Sequence, residues 1–334
     1  MRTFPYITVV MPVRNEERFI ADTIGQLLQH DYPENRYEII VADGMSDDRT
    51  REIVREISSQ HPQVRLLDNP KRLSSAGRNV GFKNCKSDYF LVVDGHCYIP
   101  DNRLLRNVVE CFEKSAADCL GRPQPLDAPG LTRFQNAVAL ARGSKLGHGG
   151  DSLIYGEFEG YASPVSNGAA YRREVFEKIG YVDENFDACE DLEFNYRVEK
   201  AGLKAYTSPK LTVCYYPREN LKGLFHQMGR YGRGRFRFVR KHPKALTLNQ
   251  LMPGAFVAGL ILLLFTCLGS LAFSSWYPVS MAFVAAYVLY AVLITGESVR
   301  IAARHGCGYL PYLPLIFFTV HFALGYGFMF KHHD

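Results

Sequence analysis

An α/β domain built on a mostly parallel sheet, followed by a basic amphipathic segment and three transmembrane helices, is the architecture this sequence predicts. Three observations lead there. The first 125 residues repeat strand and helix patterns, the last third is basic, and three long uncharged apolar runs fall between Leu251 and Phe330. The boundaries read as a catalytic domain over 1–218, an interfacial segment over 219–250 and a membrane domain over 251–334.

Residues 7–11 (Ile-Thr-Val-Val-Met) read as a strand buried on both faces. Ile20, Ile24, Leu27 and Leu28 then share one helical face, and Tyr32-Pro33 ends that helix. Residues 37–42 are a second strand closing on Asp43-Gly44, and Ile53, Val54 and Ile57 mark the helix behind it. A third strand spans 64–67, Ser74 caps a helix reaching about Cys85, and 89–93 is the fourth strand. Repeated βαβ units require right-handed crossovers and helices on both faces of the sheet. Such sheets bind ligands at the carboxyl ends of their strands, where Pro12 to Glu16, Asp43 and Asp94 all fall.

Residues 143–160 are glycine-rich and too polar for a core, which suits either a mobile loop over a site or a plain connector. Further helices are expected over 175–179 and 192–200, with a strand returning at 203–206. Eight cysteines make neither a CxxC pair nor a zinc spacing, and read as small buried hydrophobes in a reducing compartment.

The mean hydropathy of -0.12 hides a segregation. Residues 220–334 hold eleven Lys+Arg against two Asp+Glu, a net of +9, which leaves residues 1–219 at −4 out of the total of +5. Leu221, Leu224, Phe225 and Met228 share a face of a segment that continues through Arg230, Arg233, Arg235, Arg237, Arg240, Lys241 and Lys244. That pattern suits an interfacial helix held by anionic lipids, and the apolar run that follows makes a nucleic-acid surface a poor alternative. Spans are expected over 252–273, 276–295 and 309–330. The first is 22 residues without a charge, roughly 33 Å of helix against a hydrocarbon core of about 30 Å. The N-terminal residues lack a signal-peptide apolar run, so the catalytic domain is expected in the cytosol, on a multi-pass protein of the inner (plasma) membrane. Arg300 and Arg304 then fall on an inside loop and the uncharged Ser274-Ser275 turn outside, as the positive-inside rule asks; Lys331 is a mild exception.

Several short motifs occur in a specific order: Val10-Met11-Pro12-Val13-Arg14-Asn15-Glu16-Glu17, Ile40-Val41-Ala42-Asp43-Gly44-Met45-Ser46-Asp47-Asp48, Ala76-Gly77-Arg78-Asn79, Asp94-Gly95-His96, and Glu190-Asp191. In order and spacing the chain resembles the family 2 inverting glycosyltransferases over about residues 5–215. The resemblance implies the nucleotide-diphospho-sugar transferase (GT-A) fold. With three C-terminal spans and Asp-Gly-His, the chain is similar to the succinoglycan-biosynthesis branch, which elongates lipid-linked oligosaccharides for bacterial exopolysaccharide.

The resemblance makes Asp94 and His96 a metal site for Mn²⁺ or Mg²⁺ that bridges to a diphosphate, with His96 where most relatives carry a second acid. Backbone amides in Pro12, Val13, Arg14, Asn15 and Glu16 can face phosphate, or Asn15 can simply cap a helix. In the family the Asp43 acid contacts the nucleotide base, while the residue alone suits an Asx turn with Gly44. By resemblance Arg78 and Asn79 line the nucleotide pocket; a solvated helix face is the alternative. The family assigns the catalytic base to Asp191 with Glu190 positioning the acceptor, although acids at a helix N-terminus are also common for stability. Asn167 and Gly168 would floor the donor sugar. Gln227, Arg230 and Tyr231 resemble the Gln-x-x-Arg-Trp motif of processive synthases, with tyrosine in place of tryptophan; a membrane-surface arginine is the plainer reading.

The implied function is metal-dependent inverting transfer of one sugar from a nucleotide-diphosphate sugar, a UDP-sugar in the first instance, to a lipid-linked saccharide acceptor. Expected partners are those substrates, anionic membrane lipids and polysaccharide-assembly proteins, and no nucleic acid. Alternatives are a processive polysaccharide synthase, a polyprenyl-phosphate glycosyltransferase and a non-catalytic sugar-nucleotide-binding scaffold. A nicotinamide dehydrogenase is excluded, because no Gly-x-Gly-x-x-Gly turn follows the first strand.

Overall fold

The computed structural model describes residues 4–85, 87–147, 153–165 and 167–330. Its front region runs β1 (Ile7–Val13), α1 (Ile20–Leu28), β2 (Tyr37–Asp43), α2 (Thr50–Gln60), β3 (Val64–Asp68), α3 (Ser74–Lys83) and β4 (Tyr89–Val92), as the periodicity predicts. Next come β5 (Cys97–Tyr98), α4 (Leu104–Ser115), β6 (Cys119–Gly121) and α5 (Arg133–Gly143), none of which the sequence reading had singled out. The chain continues with β7 (Gly160–Tyr161), β8 (Gly168–Arg172), α6 (Arg173–Ile179), α7 (Glu190–Lys200), β9 (Ala205–Thr207) and β10 (Cys214–Tyr215). Helices α8 (Leu221–Lys241), α9 (Leu248–Ala272), α10 (Tyr277–His305) and α11 (Leu313–Phe330) complete it.

The sheet order is β3-β2-β1-β4-β8-β6-β9-β7. Strands β3, β2, β1 and β4 are mutually parallel, and β8 runs antiparallel between β4 and β6. Alternation along β1 explains its unbroken apolar run. Ile7, Val9, Met11 and Val13 face one core with Ile24, Leu27, Val54 and Phe112, whereas Val10 faces the other with Phe82, Val175, Phe176 and Phe194. Helix α3 lies flush on β1, since a Cβ at Gly81 would collide with the Val10 side chain. The parallel half thus delivers the ends of β1, β2 and β4 to one edge, as doubly covered sheets do.

The chain divides into two compact units, residues 1–130 with 152–216 and residues 131–151 with 217–334. Residues 131–151 therefore belong with the C-terminal helices rather than with the catalytic domain to which their sequence position assigned them. The reason is α5, whose Ala137, Val138 and Ala141 join a core with Leu313, Ile316, Phe317 and Val320. A Thr132–Gln135 capping box starts that helix and was a readable signal. The expected loop over 143–160 is replaced at its ends by the last residue of α5, a 3₁₀ turn at Leu153–Tyr155 and the start of β7; its centre, 148–152, lies outside the described residues, as does Ser166.

Among the described residues of the second unit, three helices are long and apolar enough to cross a membrane: Leu248–Ala272, Ser274–His305 and Leu313–Phe330. Leu264, Phe265, Leu271, Leu289 and Val292 of the first two are exposed, as lipid-facing residues would be. The sequence reading gave the apolar face of α8 to lipid, but protein covers it. Leu224 and Met228 join the core that holds Leu324, and a Cβ at Gly327 would collide with the Gly229 carbonyl. Close backbone approach of this kind holds apolar helices together where lipid offers no hydrophobic drive.

Candidate active site

Asp94 lies two residues past the end of β4 and is half-buried. Its Oδ2 accepts a 2.8 Å hydrogen bond from the Tyr215 hydroxyl, which in turn accepts one from Arg122 Nη2 at 2.9 Å. Burial alone would raise the Asp94 carboxyl; Arg78, His96, Arg122 and the Tyr215 bond outweigh it and hold it below the ordinary value. Burial, then Asp94, pushes the Tyr215 phenol well above its ordinary value, so it keeps its proton and donates. Neither Arg122 nor Tyr215 stood out in the sequence. Tyr215 is one of 20 tyrosines, and its partner lies 121 positions away.

His96 Nδ1 is 2.8 Å from Glu16 Oε1. Glu16, expected beside phosphate, thus orients the imidazole, the usual carboxylate support of a metal-binding histidine. Gly95 is needed for this approach, since a Cβ there would stand 2.8 Å from Val13 Cγ1 and 3.2 Å from Glu16 Cγ. Among the described residues no three His, Cys, Asp or Glu side chains form a cluster able to hold a metal. One charged carboxylate and one oriented imidazole still fit Mn²⁺ or Mg²⁺, because such ions keep positions open for water and phosphate oxygens.

Glu190 and Asp191 open α7 after Cys189, whose φ of 61° bends the chain into the helix. Glu190 is buried and lies 3.3 Å from Arg78 Nη2, while Asp191 is exposed. Burial pushes the Glu190 carboxyl up, with Arg78 opposing and Asp191 adding to the rise. For Arg78, burial disfavours the charge, but Glu190, then Asp191 and Asp94, hold its pKa above the ordinary value. One guanidinium therefore couples to both acidic clusters, 97 positions apart in sequence between Asp94 and Asp191. Arg78 faces acids here rather than standing on a solvated helix face.

Other expected contacts are spent within the protein. Asn79 donates from Nδ2 to Val182 O at 2.8 Å and Glu184 Oε1 at 2.7 Å, and its Oδ1 accepts from Val182 N at 3.0 Å. It clamps the approach to α7 and is not available to a nucleotide. Asp43 is 0% exposed and bonds Ser46 N, Ser46 Oγ and Arg51 Nη1. The turn reading holds for it, with Ser46 rather than Gly44 as partner. The amides of Asn15, Glu16 and Glu17 donate to Ser46 Oγ, Thr50 Oγ1 and Asp48 Oδ2, so they do not face phosphate. Asn15, at φ 57°, does not cap α1; its Oδ1 accepts from Asp47 N. Pro12 and Val13 lie within β1, in register with Ala42 and Asp43, and exposed Arg14 lies 3.9 Å from Asp47.

Asn167 is buried, with Nδ2 donating to Thr207 Oγ1 at 3.1 Å and its carbonyl accepting from Arg122 N at 3.0 Å. Gly168 begins β8, where a Cβ would stand 2.5 Å from Asn195 Oδ1. Gln227, Arg230 and Tyr231 belong to α8 in the second unit, with Arg230 exposed and Gln227 Nε2 at 3.5 Å from the Tyr231 hydroxyl.

A nucleotide-diphospho-sugar transferase sheet with acids at its strand ends defines a class, and comparison supplies the family. The chain belongs to glycosyl transferase family 2, whose description matches residues 8–180. It is therefore a glycosyltransferase. It is 37% identical over 247 residues to the succinoglycan biosynthesis protein ExoA of Rhizobium meliloti (strain 1021), covering 73% of each chain. It is 26% identical over 330 residues to the dolichyl N-acetyl-alpha-D-glucosaminyl phosphate 3-beta-D-2,3-diacetamido-2,3-dideoxy-beta-D-glucuronosyltransferase of Methanococcus voltae, covering 97% of this chain and 96% of that one. Among solved structures, the mannosyltransferase PcManGT from Pyrobaculum calidifontis, in complex with GDP-Man and Mn²⁺, aligns with a TM-score of 0.64 at 18% identity, over 99% of this chain and 89% of that one.

Proposed function

We infer that this glycosyltransferase moves one sugar, with inversion, from a nucleotide-diphosphate sugar, UDP-linked in the first instance, to a lipid-linked saccharide at the cytosolic membrane face. The observation that carries this reading is Arg78, a buried cation 3.3 Å from Glu190 whose charge is also favoured by Asp191 and Asp94. Inversion needs a leaving-group site and a base on opposite sides of one anomeric carbon, and a cation in the field of both acidic groups supports assigning them to one site. The acceptor oxygen attacks that carbon as the bond to diphosphate breaks. Asp191, exposed at the start of α7, takes the hydroxyl proton, and the nucleoside diphosphate departs with the bonding electrons. Buried Glu190 holds Arg78 and orients the acceptor side of the pocket. Asp94 and His96 would hold a Mn²⁺ or Mg²⁺ ion, which when bound supplies positive charge to the leaving diphosphate.

The three apolar helices and the full-length likeness to a dolichyl-linked sugar transferase support a lipid-linked acceptor. The likeness to a succinoglycan biosynthesis protein supports exopolysaccharide assembly, with its assembly proteins as partners. Purified chain in nanodiscs, given UDP- and GDP-sugars, Mn²⁺ and lipid-linked acceptor, should add one sugar of inverted configuration. Asp191→Asn should lower the rate by about 10²–10⁴-fold. Undiminished turnover in that variant removes Asp191 as base, and a ladder of products would mean a processive synthase instead.

A further inference from the structure

Arg122 is a buried cation that the reading above leaves without a task. It follows β6 in Gly121-Arg122-Pro123 and is 3% exposed. Its Nη2 donates to Tyr215, and its amide donates to Asn167 O. Its Nε and Nη1 are shut off from solvent and have no hydrogen-bond partner. Two unsatisfied nitrogens on one buried guanidinium, three N–H groups in all, are costly, because each N–H forfeits its water without replacement. The Tyr215 hydroxyl stands between Arg122 and Asp94, so the pair does not close into a salt bridge that would use those donors. Guanidinium donors left open in this way suit the oxygens of a phosphate group.

We propose that Arg122 is an anion-binding residue of the active site, taking phosphate oxygens on Nε and Nη1 while Nη2 stays on Tyr215. The proposal deepens the glycosyltransferase reading, and both the donor diphosphate and a phosphate on the lipid acceptor offer this chemistry. A role confined to propping Tyr215 and Asp94 would use Nη2 alone.

The test measures binding of inorganic pyrophosphate, UDP, GDP and uridine by calorimetry on the full chain in detergent, together with KM for undecaprenyl phosphate and lipid-linked saccharide. In Arg122→Gln, pyrophosphate affinity should fall about 10- to 100-fold while uridine affinity and the unfolding midpoint stay unchanged. Arg122→Lys should recover part of the loss, and Tyr215→Phe should keep pyrophosphate affinity within about threefold, since Nε and Nη1 do not depend on the hydroxyl. An equal loss for UDP and GDP assigns the donor diphosphate; a rise confined to acceptor KM assigns the lipid phosphate. Wild-type affinity for every anion and acceptor in a folded Arg122→Gln overturns the proposal, as does a wild-type chain that binds no anion. Pyrophosphate binding that depends on Arg122, in a protein that transfers no sugar, would sink the proposed function and leave this inference standing.

Discussion

The two sides of the sheet's carboxyl edge differ in how completely their polar groups are satisfied. On the β1–β2 side, Asp43, Ser46, Asp48, Thr50 and Arg51 bond one another and the amides of residues 15–17, so that side is closed on itself. On the β4 side, Arg78 Nε and Arg122 Nε and Nη1 are buried without partners beside acids that share their field. Substitution on the closed side should cost stability. The open side carries the residues proposed to meet substrate oxygens, and substitution there should cost turnover.

The largest test of that contrast is Asp94→Asn, expected to lower transfer about 10³-fold, or about 4 kcal/mol, with little change in unfolding midpoint. A variant that instead unfolds early while retaining its rate would reverse the assignment. On the other side, Asp43→Asn removes one partner of the Arg51 ion pair at 2.6 Å, which is buried on the Asp43 side. Denaturant unfolding should show a loss of about 3 kcal/mol, with turnover of the protein that remains folded near normal. Ser46→Ala, which frees the Asn15 amide and one Asp43 oxygen, should cost about 1–2 kcal/mol in the same assay. A drop in nucleotide affinity without loss of stability in either variant would move that side into the binding site.

The smallest effect concerns pH. The Asn79 bond, then Lys71, holds the Glu184 carboxyl below its ordinary value. A depressed acid stabilises fully above its unfolded pKa of about 4.3, and that contribution is lost as pH falls through the lower folded value. Melting curves of wild type and Glu184→Gln should therefore differ at pH 6 and converge toward pH 3. A constant gap across that range would show that the Asn79–Glu184 clamp does not depend on charge.

Much of the parallel half was readable because each strand is buried on both faces, leaving runs such as Val9-Val10-Met11 that water would not tolerate. Strand direction is different. Nothing in residues 168–172 says that β8 reverses against β4, since both directions bury the same side chains. Helix α5 hid because Arg133, Asn136 and Arg142 interrupt its apolar pattern; only Thr132 and Gln135 mark its start. In the site, the acids were visible as types at strand ends. Their partners were not, for Glu16 meets His96 across 80 positions and Arg122 meets Tyr215 across 93.

Sequence alone determined the βαβ order, the apolar spans and the chemical types at the strand ends, because hydrophobic period and composition are local properties. Tertiary structure alone decided which polar atoms bond each other and which stay open. Hydrogen bonding is directional and short-ranged, so Asp43 and Asp94, alike as strand-end aspartates, become a sealed turn and an anionic centre only when the chain brings Arg51 to one and Tyr215 to the other.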